Sequence, residues 1–381
     1  MKTTFKITIH FFVISLFLFS CQQKVEKENT KDAEKIKVAV FNGNGASKVC
    51  VMETVEALKM DSGIAVIEIS AVEIMLGELN ELDVIVFPGG SGSKEFNNIG
   101  LLAAGKIQEF AKKKGNGVVG ICAGGYLLAS TPNYASLKML PVHSIREYYN
   151  RGRGLISFKT TDQGDKVFPE LKAMKNAFVQ YYDGPMYENI DSSKFTVLAT
   201  VNTDIATKEG YPKGVSINKP AFGISNYGEG RVIMTTGHPE ATSGMRWMVP
   251  RMARWAANKE LISYNTDLVR PLKYNHEVLY YPETNKLEKE YFWKLSSDNE
   301  EEIIQAIDGL HSIYSRTSIR WSQGLLRHTS SAVRLKAAQY LLETEYTHAI
   351  KDVEVAYKLE TDEVVKKEME IILKKLKSFI P

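Results

Sequence analysis

Residues 117–126 read GVVGICAGGY. The apolar run from Gly117 to Ile121 is too short for a helix and reads as a buried strand, and it delivers Cys122 directly into Ala123-Gly124-Gly125. Small residues at those places permit a sharp turn from strand to helix, the geometry of a nucleophile elbow with a thiol in place of a hydroxyl. The free N–H groups and positive dipole end of the following helix would then face the sulfur, which predicts a lowered thiol pKa and a reactive thiolate. A free cysteine is by default a small buried hydrophobe, so its partners decide the matter.

Upstream, strand and helix signals alternate. Ile36–Phe41, Ile64–Ile69 and Leu82–Phe87 read as strands, and Ala46–Met60 and Gly100–Lys114 as helices. This alternation predicts an α/β fold, a mostly parallel sheet covered by helices, with its site beyond the carboxyl ends of the strands. Pro88-Gly89-Gly90 falls at that edge and offers bare backbone N–H groups, which with the N–H of Ala123 would make an oxyanion hole. Downstream, Ala221–Ser225 and Arg231–Thr235 flank Tyr227-Gly228-Glu229-Gly230 and read as a hairpin. Directly after it comes Gly237-His238-Pro239-Glu240, a histidine placed to act as base with a carboxylate two residues on to orient it. Met245–Ala257 reads as a closing helix.

These motifs resemble the class I glutamine amidotransferase-like superfamily, and most closely its biotin-protein ligase N-terminal domain family. The residues that carry the resemblance are Phe87-Pro88-Gly89-Gly90, Gly120 to Tyr126, Tyr181-Tyr182-Asp183-Gly184 and His238-Pro239-Glu240, and it spans residues 36–260. It implies a flavodoxin-like sheet in which Cys122 is the nucleophile, His238 the base, Glu240 its orienting acid, and Gly90 and Ala123 the oxyanion donors. By the same resemblance Gly89, Tyr126, Tyr182 and Asp183 stand near the substrate. Glutaminases of the superfamily continue the elbow with Gly-His-Gln, whereas here it continues Gly124-Gly125-Tyr126. The expected chemistry is therefore hydrolysis or transfer at an amide or peptide-like bond of a small-molecule or peptide-like substrate, not glutamine use in particular. The other expectation is a non-catalytic envelope binding or scaffold protein that uses the same pocket.

The ends add context. Met1 to Lys6 carries two lysines, Ile7 to Phe19 is apolar, and Leu18-Phe19-Ser20-Cys21 resembles the lipobox of bacterial lipoproteins. Residues 1–20 thus read as a signal peptide and Cys21 as the lipidated residue. Residues 21–35 read as a polar tether, and the expected place is the bacterial cell envelope, held at the membrane by lipid. Residues 261–298 read as a connector. Five amphipathic stretches over 299–381 then predict an all-α segment, HEAT-like or a small bundle, and a surface for a protein partner.

With 48 basic against 45 acidic residues in 381, the chain lacks the charge excess of a nucleic-acid binder. Gly43-Asn44-Gly45 lacks the third glycine of a dinucleotide fingerprint, and Gly89 to Lys94 lacks the ending of a phosphate loop. The other histidines show no ligand spacing, so neither cofactor nor metal is expected. Cys50 reads as a core residue, and the basic, aromatic stretch of Arg146, Tyr148, Tyr149, Arg151 and Arg153 as a solvated loop, the alternative being a grip on an anionic substrate.

Overall fold

The computed structural model describes residues 35–146, 152–206 and 209–380. The expected signal peptide, the lipidation site Cys21 and nearly all of the tether lie outside them.

The first half of the sheet follows from three crossovers. Strand β1 (Ile36–Phe41) leads through α1 (Lys48–Leu58) to β2 (Ile64–Ile69), then through α2 (Ala71–Leu76) to β3 (Val84–Phe87), and through α3 (Gly92–Ala111) to β4 (Gly117–Ile121). After the elbow come α4 (Ala123–Leu128), β5 (Val142–Ser144), β6 (Arg153–Thr160), α5 (Gly164–Val167), β7 (Ala177–Tyr182), β8 (Tyr187–Asn189) and β9 (Phe195–Val201). The hairpin β10 (Pro220–Tyr227) and β11 (Gly230–Thr235) follows, with Tyr227 opposite Gly230, and α6 (Met248–Ala256) comes after it.

Laterally the order is β2-β1-β3-β4-β11 and then β10, β9 and β6. The first five strands run parallel and the hairpin reverses direction, so the remaining strands pair antiparallel. Parallel strands buried on both faces need apolar residues at every position. In β1, Val38 and Val40 pack with α1 and α6 residues such as Leu58 and Met252, while Ala39 and Phe41 pack with α3 and α4 residues such as Ile107 and Leu127. Helix α3 begins earlier than its sequence pattern predicts, because Gly100 (φ 68°) kinks a helix that starts at Gly92.

Beyond α6, the 261–298 segment contributes β12 (Val278–Leu279), paired antiparallel to β6, and α7 (Pro282–Lys294), packed on α8 (Glu300–Ser312). Four further helices follow: α9 (Ser318–Gly324), α10 (Ser331–Glu343), α11 (Ile350–Leu359) and α12 (Glu363–Ser378). Side-chain caps start three of the helices: Asn299 accepts from Glu301 N–H, Ser330 from Val333 N–H, and Asp362 from Val364 N–H. Helix α10 packs on α8, α9 and α12. Their apolar cluster takes in Met60 from the turn after α1 and Leu268, so the helices and the sheet domain share packing. None of the described helices is long and apolar enough to cross a membrane.

One residue of α3 conflicts with its surroundings. Glu95 is fully buried and neither carboxylate oxygen has a hydrogen-bond partner. Burial pushes its pKa from 4.5 to about 8. Between those values the folded chain keeps a proton that the unfolded chain gives up, so stability declines as pH rises through the window. Glu95→Gln should remove that decline: measured by urea unfolding, the variant gains on the unaltered protein by about 1.4 kcal/mol per pH unit inside the window. Parallel pH profiles for the two proteins would refute this.

Candidate active site

Cys122 occupies the turn between β4 and α4 at φ 51° and ψ −105°, a conformation that costs a non-glycine residue energy and is held by its surroundings. Its N–H donates to Thr235 O at 2.9 Å, which ties it to the end of β11. Gly124 allows the elbow to press against β3, since a Cβ there would lie 2.1 Å from Phe87 O. The N–H of Ala123 points at the sulfur, while Sγ itself donates to Tyr182 O at 3.7 Å.

The thiol is not the thiolate that the helix-dipole reading predicts. Cys122 is 5% exposed, and burial, reinforced by the neighbouring Cys50, drives its pKa well above the ordinary value. The loss of water around the sulfur outweighs the lowering effects of Arg316 and of the Ala123 N–H at the start of the six-residue helix α4.

His238 and Glu240 are brought together by a short 3₁₀ turn, Pro239–Ala241, with proline at its first position. His238 N–H donates to Gln180 O at 2.7 Å, which fixes the histidine to β7. Its Nδ1 lies 2.7 Å from Glu240 Oε1, and both side chains are buried. A carboxylate there accepts Nδ1–H and leaves Nε2 as the proton acceptor. Burial first, and then the charge of Arg316, lowers the His238 pKa, so the ring is neutral at neutral pH and has the form of a base. Among the described residues there is no hydrogen bond between His238 and Cys122.

Both residues line one cavity of about 790 Å³ together with Gly90 and Tyr182. A second cavity of about 480 Å³ adjoins it, sharing Gly90, Cys122 and Tyr182 and adding Ala123, Tyr126 and Asp183. Gly90 adopts φ 155°, and a Cβ on it would meet Gly45 O at 2.1 Å. Among the described residues neither Gly90 N–H nor Ala123 N–H donates to a backbone carbonyl. Gly89 is buried behind the histidine: a Cβ there would lie 2.6 Å from the His238 ring and 2.8 Å from Cys50 Sγ. Tyr126 donates to Gly184 O at 3.2 Å. Arg153 stacks over Tyr182 at 4.0 Å and pairs with Asp183 at 3.3 Å.

Two features of the site have no sequence signal. Cys50, at the start of α1, lines the larger cavity beside His238, and burial pushes its thiol up to about 11. Arg316 comes from the loop between α8 and α9 and reaches the site from the helical segment. Its guanidinium bonds to Glu53 and lies 3.5 Å from both Cys50 Sγ and Glu240 Oε1. Cys50, His238 and Glu240 each offer one ligand atom within 4.8 Å of the others, a spacing that a metal ion accepts. A guanidinium already stands on two of the three and His238 is bonded to Glu240, so the set fits an ion-pair network and not a metal centre.

Residues 36–268 match the family model described as biotin-protein ligase, N terminal, extending a little past the sequence-derived boundary at 260. No curated protein matches the chain. Among solved structures, the chain is similar to a cytoplasmic protein from Salmonella typhimurium, at 14% identity over 58% of this chain and 98% of that one, TM-score 0.37. It is also similar to the glutaminase domain of a Trypanosoma brucei CTPS with bound acivicin, at 11% identity over 61% of this chain and 97% of that one, TM-score 0.41. A ThuA-like protein from Bacteroides uniformis is similar at 14% identity over 58% of this chain and 91% of that one, TM-score 0.44.

Proposed function

The chain belongs to the biotin-protein ligase N-terminal family, and from that premise we propose that it is a cysteine-dependent hydrolase or transferase acting at an amide or peptide-like bond. The observation that carries the reading is Cys122, held in a strained elbow, facing the same cavity as a buried, carboxylate-bonded, neutral histidine.

In this reaction the thiol leaves the Tyr182 carbonyl as substrate enters, and His238 Nε2 takes its proton as Sγ attacks the carbonyl carbon. Glu240 stabilises the imidazolium, and the oxyanion lies against the N–H groups of Gly90 and Ala123. Collapse breaks the C–N bond, the imidazolium returns the proton to the departing amine, and water or another acceptor then takes the acyl group from the thioester. Because the resting thiol is protonated, the histidine must act during each turnover and does not merely pair with a standing thiolate. The test is amide turnover, which the loss of Cys122 or His238 should remove.

One observation favours a second reading, a pocket that binds without turnover: Cys122 is bonded to Tyr182 O and not to His238. Ligand protection without product release would select it.

We also propose that the protein acts at the bacterial cell envelope through lipid on Cys21, supported by the apolar run and lipobox-like residues before it. Incorporation of a palmitate analogue in cells should be lost in Cys21→Ser; equal labelling of both proteins would refute the anchor.

A further inference from the structure

We propose that the substrate carries a carboxylate on the side of the reacting bond that faces the helical segment, where Arg320 binds it beside the indole of Trp321. This rests on the hydrolase reading and adds a substrate class to it. The two cavities meet at Cys122 and Gly90, so a carbonyl placed between nucleophile and oxyanion donor has room to extend in both directions. Their charges differ. The larger cavity is lined by Arg316 and Arg320 and by no carboxylate, whereas the smaller has Arg146 and Asp183.

Arg316 is already committed to Glu53 and Glu240. Arg320, one turn along on α9, is exposed and makes no ion pair or hydrogen bond among the described residues. Its planar fork suits a carboxylate. Trp321 is 57% exposed, and its ring packs at 62° against Phe292 with centroids 5.7 Å apart. A held indole face at a cavity mouth suits an apolar or planar part next to the charge. A peptide-like amide ending in a free carboxylate has both parts.

The experiment needs no substrate. The intact protein is alkylated at pH 9 with iodoacetate or iodoacetamide, which differ in charge, and the Cys122 peptide is quantified by mass spectrometry. The ratio of the two rates is divided by the ratio for glutathione. In the unaltered protein this quotient should exceed one by about three- to tenfold, since a focused positive field draws the anion. Arg320→Ala should bring it near one, Arg320→Glu below one, and Arg320→Lys should keep it raised. A quotient at or below one in the unaltered protein, or one that Arg320→Ala and Arg320→Glu leave unchanged, overturns the inference and leaves the hydrolase reading standing. That reading fails separately, if amide turnover survives loss of Cys122.

Discussion

Cys122→Ala should abolish amide turnover by the intact protein, and His238→Ala should lower kcat/KM by at least about a thousandfold, or roughly 4 kcal/mol of transition-state stabilisation. The measurement is release of ammonia or amine from a panel of glutamine, γ-glutamyl amides and cell-wall peptides. Two pH effects accompany it. The imidazole is held below its ordinary pKa by burial and by Arg316, so the acid limb of the rate profile should fall below the ordinary value of about 6.5. Without substrate, burial keeps the Cys122 thiol protonated, and alkylation by iodoacetamide should be slow at neutral pH and rise only on the alkaline side. Fast neutral alkylation would contradict the protonated resting state. Cys50 shares the cavity with His238, so Cys50→Ala is the decisive companion. If it removes turnover and Cys122→Ala does not, the nucleophile has been misassigned.

Removing the helical segment should cost the protein its fold, and Arg316→Gln should cost it most of its activity. Truncation after residue 298 strips two buried charges of their partners, since Glu53 loses Arg316 and Arg246 loses Thr347 and the Glu345 carbonyl, and the partly exposed Arg270 loses Glu345. Breaking one buried pair costs about 3–5 kcal/mol, against a total stability of about 5–15 kcal/mol for a domain. The truncated chain should be insoluble or unfold without a cooperative transition; a soluble, cooperatively folded product would show that the helices are dispensable. The point variant isolates the chemistry. Without Arg316, Glu53 and Glu240 face each other with no cation between them, and His238 binds its proton more tightly. Arg316→Gln should lower kcat/KM by about a hundredfold and move the acid limb to higher pH. Arg316→Lys keeps the charge and should restore the position of that limb in part. A limb that stays in place in Arg316→Gln would reduce Arg316 to a structural role.

The sequence by itself determined the sheet and its edge. Alternating apolar strands and helices specify a doubly covered sheet because a parallel strand must be apolar on both faces, and the glycines around Cys122 and Gly90 mark where backbone must approach backbone. That local information placed Cys122, His238 and Glu240 at strand ends, and in the structure Cys122 and His238 line one cavity while Glu240 bonds His238 from behind it. It also suggested a thiolate, which the fold does not support: the free energy of charging a sulfur depends on how much water remains around it, and burial is a property of the whole chain. Cys50 carried no mark beyond a small apolar setting at the start of a helix. Arg316 lies in a loop between two helices, far along the chain from Glu53 and Glu240. Only tertiary structure brings such residues together, because neither helical nor strand periodicity encodes which distant loop will supply the charge that a buried pair of carboxylates requires.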